Sequence, residues 1–398
     1  MKYLWIGVGN SEEGRAHIIE NGGEFFSDEV SNDALLSGLD ACGIHADTIN
    51  SSRVPSYPIF KKKRISSFKW VYPSGATGVS VGYLNYKYVN RLFKKKSVVK
   101  EAKAWARANK GEDVTVFVYQ MHTPFMAAAT AVKRIIPNAK IVLIVADLPQ
   151  YMDMNMSSLK KLLKRIDWSS IKKNMRHVDK YVLYSEAMAS FLKLREGNYV
   201  TMEGSYDIST AYDGEISKNT EKISIMYSGA LTKKYGIMEL LDAMKELDDN
   251  YELWFTGGGD AVSLIEEKVR EDQRIKYFGY IPSRIELLKK QKEATMLINI
   301  RDPKEPASRY CFPSKIFEYM VSGNPVLSTV IEGIPREYFD YIIPLPDIDS
   351  ATLCEKIKDV AKMSAEERAS YGEKARDYVL TRKNNVAQMK TVLDFISK

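Results

Sequence analysis

Short apolar runs bounded by turn residues alternate along the whole chain with longer stretches at helical spacing. In the first half, the runs at 2–8 (KYLWIGV), 113–120 (DVTVFVYQ), 140–146 (KIVLIVA) and 180–185 (KYVLYS) read as strands, with helices after Pro124, Ser157 and Glu186. The second half repeats the pattern at 223–228, 251–257, 276–281, 295–300, 324–329 and 341–345. Strands that alternate with helices predict parallel sheets with helices on both faces, an α/β architecture. A chain of 398 residues can bury two such cores. The expected organisation is an N-terminal domain over 1–212, a polar linker over 213–222, a second domain over 223–375, and a C-terminal helical segment over 376–398 that packs back on the first domain.

One stretch carries more chemistry than the rest. Residues 309–329 (RYCFPSKIFEYMVSGNPVLST) place Pro313 at an expected first helical position, followed by Ser314 and Lys315. The N–H groups of such an end have no partner inside the helix and attract phosphate. Glu318 follows within a turn and a half, placed to accept hydrogen bonds from a ribose or sugar diol, and Gly323 ends the helix before an apolar strand. The combination reads as a nucleotide-sugar site.

Composition narrows the classes. With 45% hydrophobic and 27% charged residues the chain is globular, and it holds no apolar run of the roughly 18 residues a membrane span needs. The start, MKYLWIGVGN, reads as a first strand and not a signal peptide, so the expected compartment is the cytoplasm. Cys42, Cys311 and Cys354 are too few and too scattered for a disulfide framework or zinc site, and no structural metal is expected. Charge is uneven: residues 1–204 carry 30 Lys and Arg against 19 Asp and Glu, whereas 205–398 carry 28 against 32. Basic residues cluster at 61–64, 94–96 and 158–176. The last of these sets Leu159, Leu162, Leu163 and Ile166 among Lys160, Lys161, Lys164, Arg165, Lys172 and Lys173. That helix is either a solvated surface helix or one that lies on an anionic membrane. No zinc-finger, RNP-type or zipper pattern points to nucleic acid.

The segments at 227–244 (YSGALTKKYGIMELLDAM), 253–260 (LWFTGGGD), 275–299 and 312–329 together resemble the retaining glycosyltransferases of family 4, in order and in spacing. The resemblance covers residues 223–345. In the first half it rests on 181–192 (YVLYSEAMASFL) and strand order, while 312–320 with 332–345 resembles the branch from bacterial capsule and surface-polysaccharide clusters. It implies a GT-B fold, two Rossmann-like doubly wound domains facing a cleft. It also implies a nucleoside-diphosphate-sugar donor, a UDP-sugar being favoured, and transfer with retention of anomeric configuration without a cofactor or metal. The acceptor it implies is an oligosaccharide or a polyprenyl-diphosphate glycan at the inner membrane face, with the enzyme peripheral to that anionic surface.

Carried onto this sequence, the donor residues are Gly229, Gly258, Tyr280, Ile281, Arg309, Tyr310, Pro313, Ser314, Lys315 and Glu318. Of the family's paired glutamates the second is Glu318, but the first position is Tyr310, so Tyr310 or Arg309 is expected to take over its sugar contact. The Arg and Lys that the family presents to the diphosphate are missing, and Lys233 or Lys234 is expected to neutralise it, Lys234 being favoured. The family's strand-end histidine is replaced by Ala146, leaving Asp147 either in the sugar site or as a turn former before Pro149; the nearest comparable histidine is His122, a sugar contact or a satisfied structural residue. A dinucleotide fingerprint at 7–14 fails because its third glycine position is Glu12, which excludes a dehydrogenase. Gly7, Gly9 and Asn10 are instead expected to give the acceptor or a donor phosphate close backbone access, and the glycines of 257–260 to do the same for nucleotide. Two rivals remain at this level: a sugar-nucleotide epimerase, and an inactive GT-B binding partner.

Overall fold

The computed structural model describes residues 1–23, 27–150, 158–214, 216 and 221–398. The chain forms two compact units, Met1–Gly204 with Asn385–Lys398, and Ser205–Asn384. The boundaries fall at 204/205 and 384/385, against the 212/213 and 375/376 expected, and half of the 213–222 stretch lies outside the described residues.

The first unit contains β1 (Lys2–Gly7), β2 (Asp47–Asn50), β3 (Arg64–Ile65), β4 (Phe68–Val71), β5 (Thr77–Ser80), β6 (Tyr83–Leu84), β7 (Val114–Tyr119), β8 (Lys140–Val145), β9 (Lys180–Leu183) and β10 (Tyr199–Thr201). Eight of these make one sheet in the order β10-β9-β8-β7-β1-β2-β5-β4, and β3 pairs with β6 apart from it. Neighbours are parallel except the β4–β5 hairpin; Ile6 of β1 lies in register with Val118 of β7 and Ile49 of β2. Every residue of β7 is buried, which is why its sequence is continuously apolar where a one-sided strand would alternate. Helices α1 (Glu12–Glu20), α2 (Ser27–Ala41), α3 (Asn90–Ala108), α4 (Thr123–Ile135), α5 (Ser158–Met175) and α6 (Ala187–Leu192) connect the strands.

The second unit holds β11 (Ile223–Ala230), β12 (Tyr251–Gly258), β13 (Ile275–Tyr277), β14 (Met296–Asn299), β15 (Val326–Thr329) and β16 (Ile343–Leu345), ordered β13-β12-β11-β14-β15-β16 and wholly parallel. Its helices are α7 (Ile237–Lys245), α8 (Val262–Glu271), α9 (Arg284–Glu293), α10 (Lys315–Val321), α11 (Ser350–Lys362) and α12 (Ala365–Arg382). Leu240 and Met244 of α7 and Ile357 of α11 pack with Ile225 and Phe255 in one core, while Phe317 and Met320 of α10 pack with Met226, Tyr338 and Val379 in a second. The chain then returns to the first unit as α13 (Asn385–Ile396).

Two sequence expectations shift here. The strand at 276–281 is shorter, ending at Tyr277. Helix α10 begins at Lys315 with Ser314 as its cap, so Pro313 lies outside it. Phe312 is buried against Phe317 and Tyr338, with ring centroids 5.0 Å away in each case, and that packing holds the chain out of the helix until Ser314. The sheet order reverses between β11 and β14 in the second unit and between β7 and β1 in the first. The carboxyl ends of strands flanking such a switch point are where open α/β sheets bind ligands.

Candidate functional site

At the second unit's switch point the first residue of α10, Lys315, turns its ammonium inward. Its Nζ is buried, makes no hydrogen bond, and sits 3.7 Å from the ring centroid of Tyr227 on β11. Tyr319, one turn along α10, accepts from the Ser228 amide and donates to the Ser228 carbonyl, both at 2.8 Å, which pins the helix to the strand. Burial pushes Lys315 well below the ordinary lysine range; the Arg301 charge pushes the same way and Glu318 opposes. Arg301 follows β14, where its amide donates to Thr329 Oγ1 at 3.0 Å and its guanidinium lies 4.6 Å over the Tyr235 ring. The two cations share one partly dry corner, and ring faces stabilise each only in part.

Glu318 lies three residues after Lys315 and hence on the same helix face. Burial raises its carboxyl above the usual range, against the pull of Arg284 and Lys315. Gly229 sits at φ +110°, a conformation that favours glycine, and a Cβ there would come within 3.9 Å of Lys315 Cε. Glycine therefore keeps the approach to the ammonium open.

The remaining expected donor residues are placed as follows. Lys233 and Lys234 are exposed in a single 3₁₀ turn, where the Lys233 amide donates to Asp260 Oδ1 at 3.0 Å and Lys234 Nζ lies 5.2 Å from the Tyr235 ring. Neither is among the charges that shift Lys315 or Glu318, whereas Arg301 is. Arg301 escaped the sequence reading because no motif marks it. Its one signal is position, immediately beyond an apolar strand of an open sheet. Arg309 is paired with Glu332 at 2.8 Å, with its guanidinium 5.6 Å over the Tyr310 ring. Tyr280 is exposed and Ile281 half-buried, just before the Ser283 cap of α9. Gly258 has open space around it. A Cβ on Gly257 or Gly259 would collide with the backbone of Gly229 or Leu231. Those two glycines serve strand packing.

In the first unit, His122 caps α4, and its Nε2 lies 3.0 Å from Gln120 Oε1. Burial, reinforced by Arg91, Lys94 and Arg53, pushes its pKa down to about 3, so the ring stays neutral. Asp147 follows β8 half-buried, its charge raising the buried phenols of Tyr119 and Tyr184. At Gly7 a Cβ would lie 2.6 Å from Asn32 Oδ1, the atom that accepts the Trp5 indole N–H at 2.8 Å. Asn10 is buried, its Oδ1 accepting from Ser52 and Ser80 hydroxyls at 2.7 and 2.8 Å.

Two doubly wound units, one with a cationic corner at its switch point, define a GT-B fold. Solved GT-B structures match over the whole chain: the Anabaena protein Alr3699/HepE in complex with UDP, at 12% identity and a TM-score of 0.66, with 100% of both chains covered, and the sucrose-phosphate synthase of Thermosynechococcus elongatus, at 14% and 0.67, with 100% of this chain and 98% of that one covered. The lipopolysaccharide outer core galactosyltransferase WaaB aligns at 14% and 0.64, over 100% of this chain and 99% of its own. Residues 209–378 match the family model of glycosyl transferases group 1. No curated protein matches the sequence significantly. Among the described residues no helix is long and apolar enough to cross a membrane.

Proposed function

We propose that the protein is a retaining glycosyltransferase that moves a sugar from a nucleoside-diphosphate sugar, a UDP-sugar first, to an oligosaccharide or lipid-linked acceptor in bacterial surface-polysaccharide synthesis. The observation that carries this is Lys315, a buried ammonium without a hydrogen-bond partner beside a second cation. A diphosphate supplies the missing counter-charge and favours the charged form of the lysine. As the glycosidic bond to the donor breaks, negative charge builds on the leaving diphosphate, and cations already in place stabilise it without reorganising. Lys315 and Arg301 take the role first given to Lys234, Glu318 holds the ribose, and the acceptor hydroxyl attacks on the leaving-group face. Charge neutralisation by these side chains asks for no metal. The UDP in the Anabaena structure supports the choice of base.

The proposal places the protein in the cytoplasm at the inner face of the cell membrane. On α5, Leu162 and Ile166 are 53% and 60% exposed beside exposed Lys161 and Arg165, which suits an anionic surface. Trp168 packs with Phe191 of α6 and is not part of that face; the side chains of Leu159 and Lys160 lie outside those described.

The test is a thermal-shift screen with UDP, GDP, CMP, dTDP and ADP on the wild type, Lys315→Met and Glu318→Ala. At about 100 times its dissociation constant a ligand stabilises by roughly 2.7 kcal/mol. A shift with one diphosphate, absent in Lys315→Met, is expected; no shift with any of them, or one indifferent to both substitutions, would remove the donor site. With that nucleotide's sugar as donor, NMR of the new anomeric centre tests retention.

A further inference from the structure

We propose that the Lys315 corner takes up a proton as it takes a nucleoside diphosphate, so that donor binding weakens as pH rises. The inference rests on the reading of that corner as a donor site and adds a control that the reading does not require.

The geometry comes first. Lys315 is half-buried as a residue, but its Nζ is enclosed and makes no hydrogen bond. Ring faces are its nearest company, Tyr227 of β11 at 3.7 Å from the centroid and Tyr319 of α10 at 6.0 Å. An ammonium held by rings alone recovers only part of the hydration it has lost. Arg301, beyond β14, sets a second positive charge in the same corner, and Glu318 opposes it. Burial raises the Glu318 carboxyl as well, and its charge is shared with Arg284 at the start of α9. The empty corner therefore favours the neutral amine. Gly229 gives the way in: a Cβ there would lie 3.9 Å from Lys315 Cε and 4.0 Å from Nζ, and its absence leaves that approach to an oxyanion.

The sign follows from which groups are able to gain a proton. A phosphate oxygen beside Nζ favours the ammonium, so filling the site moves the lysine back toward its ordinary value of 10.5. Arg301 and Arg284 stay charged throughout. Burial pushes the phenols of Tyr206, Tyr227 and Tyr319 up, so all three are protonated before a ligand arrives. Ribose hydroxyls that donate to Glu318 favour its carboxylate, and the cations favour full ionisation of the diphosphate; both release protons. Among the described groups facing the corner, net uptake thus belongs to Lys315. Between the empty and filled values of that lysine, affinity falls by up to about tenfold per pH unit.

The experiment is titration calorimetry of the full chain at pH 8 and pH 9 with the diphosphate that the thermal-shift screen selects, UDP first. Each titration is run in two buffers of unlike protonation enthalpy, whose difference in heat counts protons. Uptake of between about a half and one proton per nucleotide is expected, with weaker binding at pH 9. Lys315→Arg keeps a cation that holds its proton at both pH values; where it folds, it should bind without uptake and equally at the two. A second measurement needs no binding variant. In wild type labelled with ¹³C at lysine Cε, the resonance missing from Lys315→Met is followed from pH 6 to pH 10, and its midpoint should lie below those of the other lysines and move up with nucleotide. Binding without uptake, or an empty-site midpoint among the ordinary lysines, would overturn the proposal and leave the donor site standing. Binding of none of the diphosphates would remove the donor reading and this inference with it.

Discussion

At the scale of single residues, burial displaces several ionisable groups of this protein from their ordinary pKa values, Glu29, Lys315 and Glu318 among them. Glu29 shows this with a sign that can be worked out. Its folded pKa of about 7 lies above the ordinary carboxyl value of 4.5, so the folded state holds a proton that the unfolded state has released between those two pH values. Its contribution to stability is fully present below pH 4.5 and is lost as pH rises through 7, a change of about 3 kcal/mol from a shift of this size. Glu29→Gln should therefore match the wild type near pH 4.5, exceed it by up to that amount at pH 8, and flatten the stability profile in between. Urea melts at pH 5 and pH 8 read the difference; equal slopes in the two proteins would show that Glu29 is ionised in the native state. Little at this scale was legible beforehand. Glu318 and Lys315 stood out because a motif frames them, whereas Arg301 and Glu29 acquire meaning only from neighbours 14 to 24 residues away, as Lys315 does for Arg301 and Arg53 for Glu29.

At the scale of elements, β11 passes close against β12 beside the Lys315 corner, with Gly229 in register with Gly257 and Ala230 with Gly258. Gly257 is at φ +131°, and any Cβ on it would strike the Gly229 carbonyl, a backbone atom that cannot swing aside. Gly257→Ala should cost upward of about 3 kcal/mol and abolish the nucleotide shift, whereas Gly258→Ala, with nothing within 4 Å of the added carbon, should stay within about 0.5 kcal/mol of the wild type. Equal losses at the two positions in chemical denaturation would refute this account of the turn. The six strands here were legible as apolar runs, most clearly β11, β12, β14 and β15, which are buried on both faces for most of their length. The strands between 47 and 84 were not. β2 buries the polar Thr48 and Asn50, β4 is a sheet edge whose residues are at most half-buried, and β3 and β6 have two residues each, so neither period nor hydrophobicity marks them.

At the scale of the whole molecule, the last fourteen residues belong to the unit that the chain left 180 residues earlier, the return expected of the helical segment over 376–398, beginning at Asn385. α13 lies on α2 so closely that a Cβ on Gly38 would collide with the Asn385 carbonyl. Its polar groups are committed there too: Asn385 Nδ2 donates to the Ala34 carbonyl at 3.1 Å, and Gln388 Nε2 to the Gly204 carbonyl at 2.8 Å. Met389, Val392 and Ile396 are buried along the same helix, and losing one such side chain costs roughly 2–5 kcal/mol. Met389→Ala should therefore weaken the first unit and spare the second, to which the nucleotide shift is assigned by the proposed site. Two units of this size need not unfold as one, and the diphosphate site proposed at Lys315 requires only the second unit to be folded. Calorimetry of Met389→Ala should accordingly show a lowered transition that nucleotide does not move and a second transition that it raises as in the wild type. A single transition, lowered by the substitution and raised by nucleotide throughout, would mean that the units unfold together and that α13 stabilises both.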